Sequence, residues 1–299
     1  MRAYYSDTFV LPLPPDHRFP MAKYALLRER LIADGILSPS NLLLPDAATD
    51  EQILRVHDAD YLERVKNGLL TEREIRRIGF PWSPEMVERS RRSSGATTAA
   101  CRAALEDGIS VNLAGGTHHA FPDHGAGYCV FNDAAIAARV VQAEKRVRRV
   151  VILDLDVHQG DGTAAIFAGD TSVFTFSVHG AKNFPFHKQR SSLDIELPDG
   201  TGDADYLAVV EEGTRRAIAT AGADMAIYLA GADPYVGDRL GRMSVTITGL
   251  AERDRIVFRL CAEAGLPVAV AMAGGYAKQI EDIVTIHAQT VRLASAFIS

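Results

Sequence analysis

From about residue 96 onward, short runs of β-branched and other apolar residues alternate with stretches whose apolar positions recur every three or four residues. The first spacing fits strands covered on both faces and the second fits amphipathic helices, so the chain reads as βαβα repetition around a largely parallel sheet. Strands are predicted at "ISVNLAGG", "RRVVILDLD", "SVFTFSVHG", "MAIYLAGAD" and "PVAVAMAGG". Helices are predicted over Asp133 to Lys145, Tyr206 to Ala221, Glu252 to Ala264 and Ile280 to Phe297. The first ninety residues are less regular, with helical spacing over Met21 to Ala33, Asp50 to Val56 and Ala59 to Asn67. No linker rich in Ser, Gly or Pro divides the two parts. One domain is therefore expected over 1–299, with 1–95 as helical and rim additions to a core in 96–299.

Composition narrows the classes of partner. Hydrophobic residues make up 47% and charged residues 23% of the 299, as in an ordinary globular protein. A net charge of -6 gives no basic stripe for nucleic acid, and no apolar run is long enough for a membrane span, so neither is an expected partner. The N-terminus lacks the apolar stretch of a secretory signal. Cys101, Cys129 and Cys261 are too few and too scattered for a disulfide framework, which suggests a reduced cytoplasmic setting. The most charged stretch, "LLTEREIRRIGFPWSPEMVERSRRSS", interleaves acids with bases and reads as a solvated helix surface and a loop.

Candidate chemistry lies where apolar strands stop. In "VVILDLDVHQGDGT", Asp154 and Asp156 share one face of an extended strand, and His158 follows them if strand geometry persists. Their neighbours are apolar, and a buried carboxylate needs a cation, a proton or dense hydrogen bonding. Asp233 closes another apolar strand in "AIYLAGADPYVGDRLG". Ligands of open α/β sheets bind at the carboxyl ends of strands, where Asp233 can meet Asp156 and His158. Two carboxylate oxygens and one imidazole nitrogen suit a catalytic zinc, and the same donors also suit iron, cobalt or manganese. A third strand leads through paired glycines to His118 and His119, which point to acid and base work. Asp154 and Asp161 remain as carboxylates to orient two imidazoles. Tyr276 follows another strand and another Gly pair, where its hydroxyl is placed to donate to an oxyanion.

Taken together, "GGTHHAFPDHGAGYCVFND", "DLDVHQGDGT", "GADPYVGDRLG" and "AGGY" resemble the zinc-dependent histone deacetylase superfamily, which includes bacterial acetoin-utilisation-type and acetylpolyamine deacetylases. Similarity in "LPDGTGDADYL" and "RVHDADYLERV" extends it over most of the chain, closest to the class IV branch. The resemblance implies an arginase/deacetylase fold, a three-layer α/β/α domain with a central parallel sheet. It makes Asp156, His158 and Asp233 the ligands of one zinc, and pairs His118 with Asp154 and His119 with Asp161. Tyr276 becomes the carbonyl-polarising residue. Gly127 and Tyr128 become substrate contacts, with Phe184 or Phe186 on the facing wall of the tunnel and Phe131 near it. A potassium ion is implied beside the zinc, held by backbone carbonyls around Asp154, Asp156 and His158 and by Ser177-Val178.

The implied activity is hydrolysis of an acetyl or longer acyl amide on lysine or a similar amine, so the expected partner is an acyl-lysine protein or peptide, or a small acylated amine. The acidic loop residue with which class I members grip a peptide backbone has no counterpart before Ser94. Three other readings compete: an acetylpolyamine deacetylase, a ureohydrolase of the same fold and a non-catalytic acyl-lysine binding protein. The ureohydrolase needs a second metal and a denser carboxylate cluster. The binding protein would have lost Tyr276, a ligand or a tandem histidine, and all are present.

Overall fold

The computed structural model describes residues 1–14 and 16–297. In chain order the elements are β1 (Arg2–Tyr4), α1 (Lys23–Ala33), β2 (Leu42–Leu43), α2 (Asp50–Ile53), α3 (Ala59–Lys66), α4 (Glu72–Ile78), α5 (Pro84–Asp107), β3 (Ile109–Asn112) and α6 (Asp133–Ala143). They continue as β4 (Val150–Asp154), α7 (Asp161–Ile166), β5 (Val173–Gly180), β6 (Leu193–Leu197), α8 (Asp203–Ala221), β7 (Met225–Leu229), α9 (Ile247–Glu263), β8 (Val268–Ala271) and α10 (Ile280–Ala296). The strands form one sheet in the order β2-β1-β3-β8-β7-β4-β5-β6. Every pairing is parallel, which sharpens the expected largely parallel sheet.

The sheet is covered on both faces, which is why its inner strands are continuously apolar. Alternation along each strand feeds two separate cores. Val151 and Leu153 of β4 pack with Leu27 of α1, Val210 of α8, Val257 of α9 and Ile283 of α10. Val150 and Ile152 pack on the opposite face with Ala100 of α5 and Ala138 of α6. The result is a three-layer α/β/α arrangement.

Local chemistry sets the helix limits. Ser83 caps α5 by accepting from the Met86 N–H, and Pro84 supplies the first helical residue. Thr71 and Glu74 form a capping box on α4, and Gly79, at φ 84°, ends it in the left-handed region. Helix α9 starts at Ile247, five residues before the predicted Glu252, because the Thr246 hydroxyl accepts from the Gly249 N–H at 2.9 Å. Two strands of the first ninety residues extend the sheet edge, where helices and loops alone are expected. With only three and two residues, they are too short to show alternation. Helix α5 runs through residue 95, where the sequence pattern changes. Its first turns, read as solvated surface, bury Met86, Val87, Ser93 and Ser94.

A buried histidine ties the helical additions to the core. His57 Nδ1 lies 2.9 Å from the Phe121 carbonyl, and its Nε2 accepts from the Asn132 N–H at 2.9 Å, which fixes a neutral tautomer. Burial lowers its pKa from 6.5 to about 4. A depressed imidazole contributes stability above its unfolded pKa and loses it as pH falls toward the folded one. Between pH 6.5 and 4 this residue alone is expected to remove up to about 3 kcal/mol. A pH titration of the His57 ring by NMR checks it; protonation near 6.5 in the folded protein would contradict the burial.

Candidate active site

Five strands deliver the candidate residues to one end of the sheet, at or beyond their carboxyl ends. Strand β3 leads to His118 and His119, β4 to Asp154, Asp156 and His158, β5 to Phe184, β7 to Asp233 and β8 to Tyr276. Strand geometry does not persist to His158, because β4 ends at Asp154. Beyond it, side chains turn the backbone: Asp154 Oδ1 accepts from the Asp156 N–H at 3.2 Å and Asp156 Oδ1 from the His158 N–H at 2.9 Å. The two aspartates therefore serve different partners.

Asp156, His158 and Asp233 present donor atoms that all lie within 4.8 Å of one another. His158 Nδ1 is 2.9 Å from Asp156 Oδ1 and 3.2 Å from Asp233 Oδ2. The remaining oxygens are held by backbone: Gly274 N–H donates to Asp156 Oδ2 at 2.7 Å and Val157 N–H to Asp233 Oδ1 at 2.9 Å. Asp233 Oδ2 is buried and accepts no hydrogen bond. Burial, then the charge of Asp156, pushes the Asp233 carboxyl up to about 7. Against burial, His158 and His118 hold Asp156 far below the usual carboxylate range. An orphaned anionic oxygen facing an imidazole and a second carboxylate is what a divalent cation relieves, so the donor set fits such an ion. Among the described residues it is the one group of three such donors.

The tandem histidines form two separate dyads. His118 Nδ1 meets Asp154 Oδ2 at 2.7 Å, and His119 Nδ1 meets Asp161 Oδ1 at 2.6 Å. Their rings lie 4.1 Å apart between centroids. Burial works against charge on both, yet Asp154 and Asp156 raise His118 to about 9. Burial and the neighbouring His118 lower His119 to about 4. Their environments thus push the two imidazoles apart, one toward the charged and one toward the neutral form.

The loop carrying both rings is anchored by Asp133 at the start of α6. Its Oδ1 accepts from the Thr117 N–H at 2.7 Å and its Oδ2 from the Gly116 N–H at 3.0 Å. Gly116, at φ 72°, passes so close to Ala273 that a Cβ would sit 2.5 Å from the Ala273 Cα. Only glycine permits that approach.

A cavity of about 420 Å³ rises from Asp156 and His158. Its walls include Tyr128, Tyr276, Phe19 and Phe184. Tyr128 and Tyr276 have ring centroids 5.8 Å apart, and Phe184 stands edge-on to His119 at 4.8 Å. Gly127 has φ 52°, and a Cβ there would approach His119 Cδ2 to 2.7 Å, so the backbone itself forms this wall. Phe184 and Phe186 both line the cavity, with Phe186 83% exposed at its rim. Phe131 does not line this tunnel; it is 1% exposed and packs in the core with Tyr61 and Ile78. Cys129 is buried, its thiol pushed well up by burial, which fits a packing role.

Several positioning groups escape a sequence reading. Arg253 is fully buried on α9; its Nη1 donates to the Gly231 carbonyl at 2.5 Å and approaches the Leu155 carbonyl at 3.4 Å. It thereby braces the loops of Asp233 and Asp156 from behind, paired with Asp254 at 2.8 Å. Asp238 accepts from the backbone N–H groups of Tyr276, Leu240 and Gly241 at 2.6, 2.8 and 2.9 Å, which joins the β7 and β8 loops. Its place in the Gly-rich "GADPYVGDRLG" is a signal for it; Arg253, in an ordinary helical pattern, has none. Lys23, which donates to the Gly275 carbonyl at 3.3 Å, comes from α1 and is equally silent in sequence.

An all-parallel α/β/α sheet with two His-Asp dyads and a carboxylate-imidazole cluster at its carboxyl end defines an arginase/deacetylase-type protein. Residues 17–291 match the histone deacetylase domain family, and the chain belongs to that family. It is thereby a hydrolase of the histone deacetylase family. The chain is 45% identical to an uncharacterised protein of Picosynechococcus sp., over 97% of each. It is 30% identical to histone deacetylase 2 of Arabidopsis thaliana, over 88% of this chain and 70% of that one. A crystal structure of a histone deacetylase homologue from Aquifex aeolicus superposes with a TM-score of 0.86 at 21% identity, covering 99% of this chain and 84% of the other. A homologue complexed with SAHA has the same TM-score at 22% identity and the same coverage.

Proposed function

We propose that the chain is one deacylase domain over 1–299 that hydrolyses the amide between an acetyl or longer acyl group and the side-chain amine of lysine or a similar amine. The observation that carries this is the orphaned Asp233 Oδ2 beside His158 and Asp156 on the floor of a cavity whose walls hold His118, His119 and Tyr276. Asp156, His158 and Asp233 would hold one zinc ion. Bound there, the ion supplies Lewis acidity, polarising an acyl carbonyl and making water a nucleophile near neutral pH. A potassium ion beside it is a further part of the proposal; its two backbone segments adjoin, since Asp154 of β4 is in register with Ser177 of β5.

His119 is the general base. Its Nδ1–H is committed to Asp161, so the free Nε2 takes the proton from water and later returns it to the departing amine. His118, held toward the cationic form by Asp154, offsets the negative charge that builds on the reacting carbonyl. Tyr276 keeps its proton, because burial holds its hydroxyl well above the ordinary value, and donates it as a hydrogen bond to that oxyanion. Gly127 offers a backbone carbonyl to the substrate amide, and Tyr128 flanks the acyl chain. Asp154 and Asp161 are already paired with imidazoles, which supports one metal ion and speaks against the dinuclear chemistry of a ureohydrolase.

Purified protein offered acetyl-lysine, long-chain acyl-lysine and acetylpolyamine substrates decides among the readings. Free acid is expected from acyl-lysine, lost on chelation and restored by zinc. Zinc-loaded protein that binds acyl-lysine and releases no acid would instead make it a reader.

A further inference from the structure

We propose that the amine taken by this site sits on an acidic substrate: an acyl-lysine whose flanking residues are aspartate or glutamate. The proposal rests on the deacylase reading and adds the charge of what surrounds the reacting amide. Arg76, Arg77, Lys182 and Arg242 line the cavity, while Asp156, on its floor, is the one carboxylate among the lining residues. Arg239 adds a further cation beside the mouth, its Nε donating to the carbonyl of the cavity-lining Tyr276 at 2.9 Å and its Nη2 to the Arg18 carbonyl at 3.3 Å. A cationic opening on a chain of net charge -6 runs against the chain's overall composition.

Pairing offsets only part of this charge. Arg76 and Arg242 each have an acidic partner at 3.2 Å, Glu72 and Asp199 respectively. Arg77 and Lys182 are exposed and enter no ion pair and no side-chain hydrogen bond among the described residues. The positions are fixed by backbone around them. The Gly127 N–H donates to the Arg77 carbonyl at 3.1 Å, which binds the Arg77 segment to the loop that walls the tunnel. On the other side Lys182 precedes Asn183, whose amide donates to the Leu240 carbonyl at 2.8 Å. The two unpaired cations therefore stand on segments tied to the mouth.

Exposed charges in water attract weakly and are screened within about 10 Å at ordinary salt. Converging on one opening, they raise the local concentration of anions and speed their capture. They do not touch the reacting amide, so the effect belongs to KM and to salt dependence. The same field repels cations, which disfavours acetylated polyamines and lysines embedded in strongly basic tails.

Three peptides with one acyl-lysine, flanked by Glu, Ala or Lys, test the proposal by steady-state kinetics and by fluorescence anisotropy. At low salt kcat/KM is expected to be roughly tenfold higher for Glu than for Lys flanks, through KM, and the gap to close as salt rises. The double variant Arg77→Glu, Lys182→Glu is expected to reverse the order and leave kcat on the Ala peptide unchanged. Equal or reversed preference in the unaltered protein overturns the charge proposal while activity on the Ala peptide upholds the deacylase reading. If no peptide is cleaved that reading fails, and the anisotropy arm still decides: tighter binding of the Glu peptide upholds the charge preference, and equal binding overturns it.

Discussion

Replacing Tyr276 by phenylalanine is expected to lower kcat by about a hundredfold or more, the scale of losing one oxyanion donor, while metal content stays unchanged. The substitution isolates the hydroxyl because the rest of Tyr276 is held by other groups. Its backbone N–H donates to Asp238 at 2.6 Å, its carbonyl accepts from Arg239 Nε at 2.9 Å, and its ring packs against Tyr128 and Phe19. Phenylalanine keeps all of these. Steady-state kinetics with metal analysis on the same sample checks it, and a kcat within about twofold of the original would remove Tyr276 from the chemistry.

A second large effect is expected from Gly274→Ala, which leaves every site side chain chemically unaltered. A Cβ on Gly274 would sit 1.9 Å from Asp233 Oδ2 and 2.6 Å from Asp156 Oδ2. Neither carboxylate can yield freely, since Asp233 is bonded to the Val157 N–H and Asp156 to those of His158 and Gly274. Either the carboxylates turn out of place or the segment leading to Tyr276 moves. Metal binding and activity are both expected to fall by about a hundredfold or more, with a stability cost of about 1–3 kcal/mol from overpacking. Unchanged circular dichroism would show that the sheet persists. Full metal binding and full turnover would mean that this cradle does not hold an ion.

The candidate site residues were legible because each is a polar side chain at or just after the end of an apolar run. Asp154, Asp156 and Asp233 stop strands, while His118, His119 and Tyr276 follow glycine pairs, and both patterns survive without tertiary information. Whatever depends on packing alone was hidden. Arg253 occupies an amphipathic helix that would tolerate a surface arginine, and only its burial against the Gly231 and Leu155 carbonyls gives it a role. Phe19 and Lys23 reach the cavity from a segment with no local motif. Phe131, expected near the tunnel, goes into the core three residues after the positive φ of 65° at Tyr128, a turn with no sequence signal. Edge strands of two and three residues left no periodicity to read.

Metal bound per chain, measured by elemental analysis after zinc loading, tests most directly whether the β4 and β7 loops form one cation site. One zinc ion per chain is expected for the unaltered protein, and none for Asp233→Ala or His158→Ala. Two zinc ions per chain, or a single zinc ion retained by both variants, would contradict it.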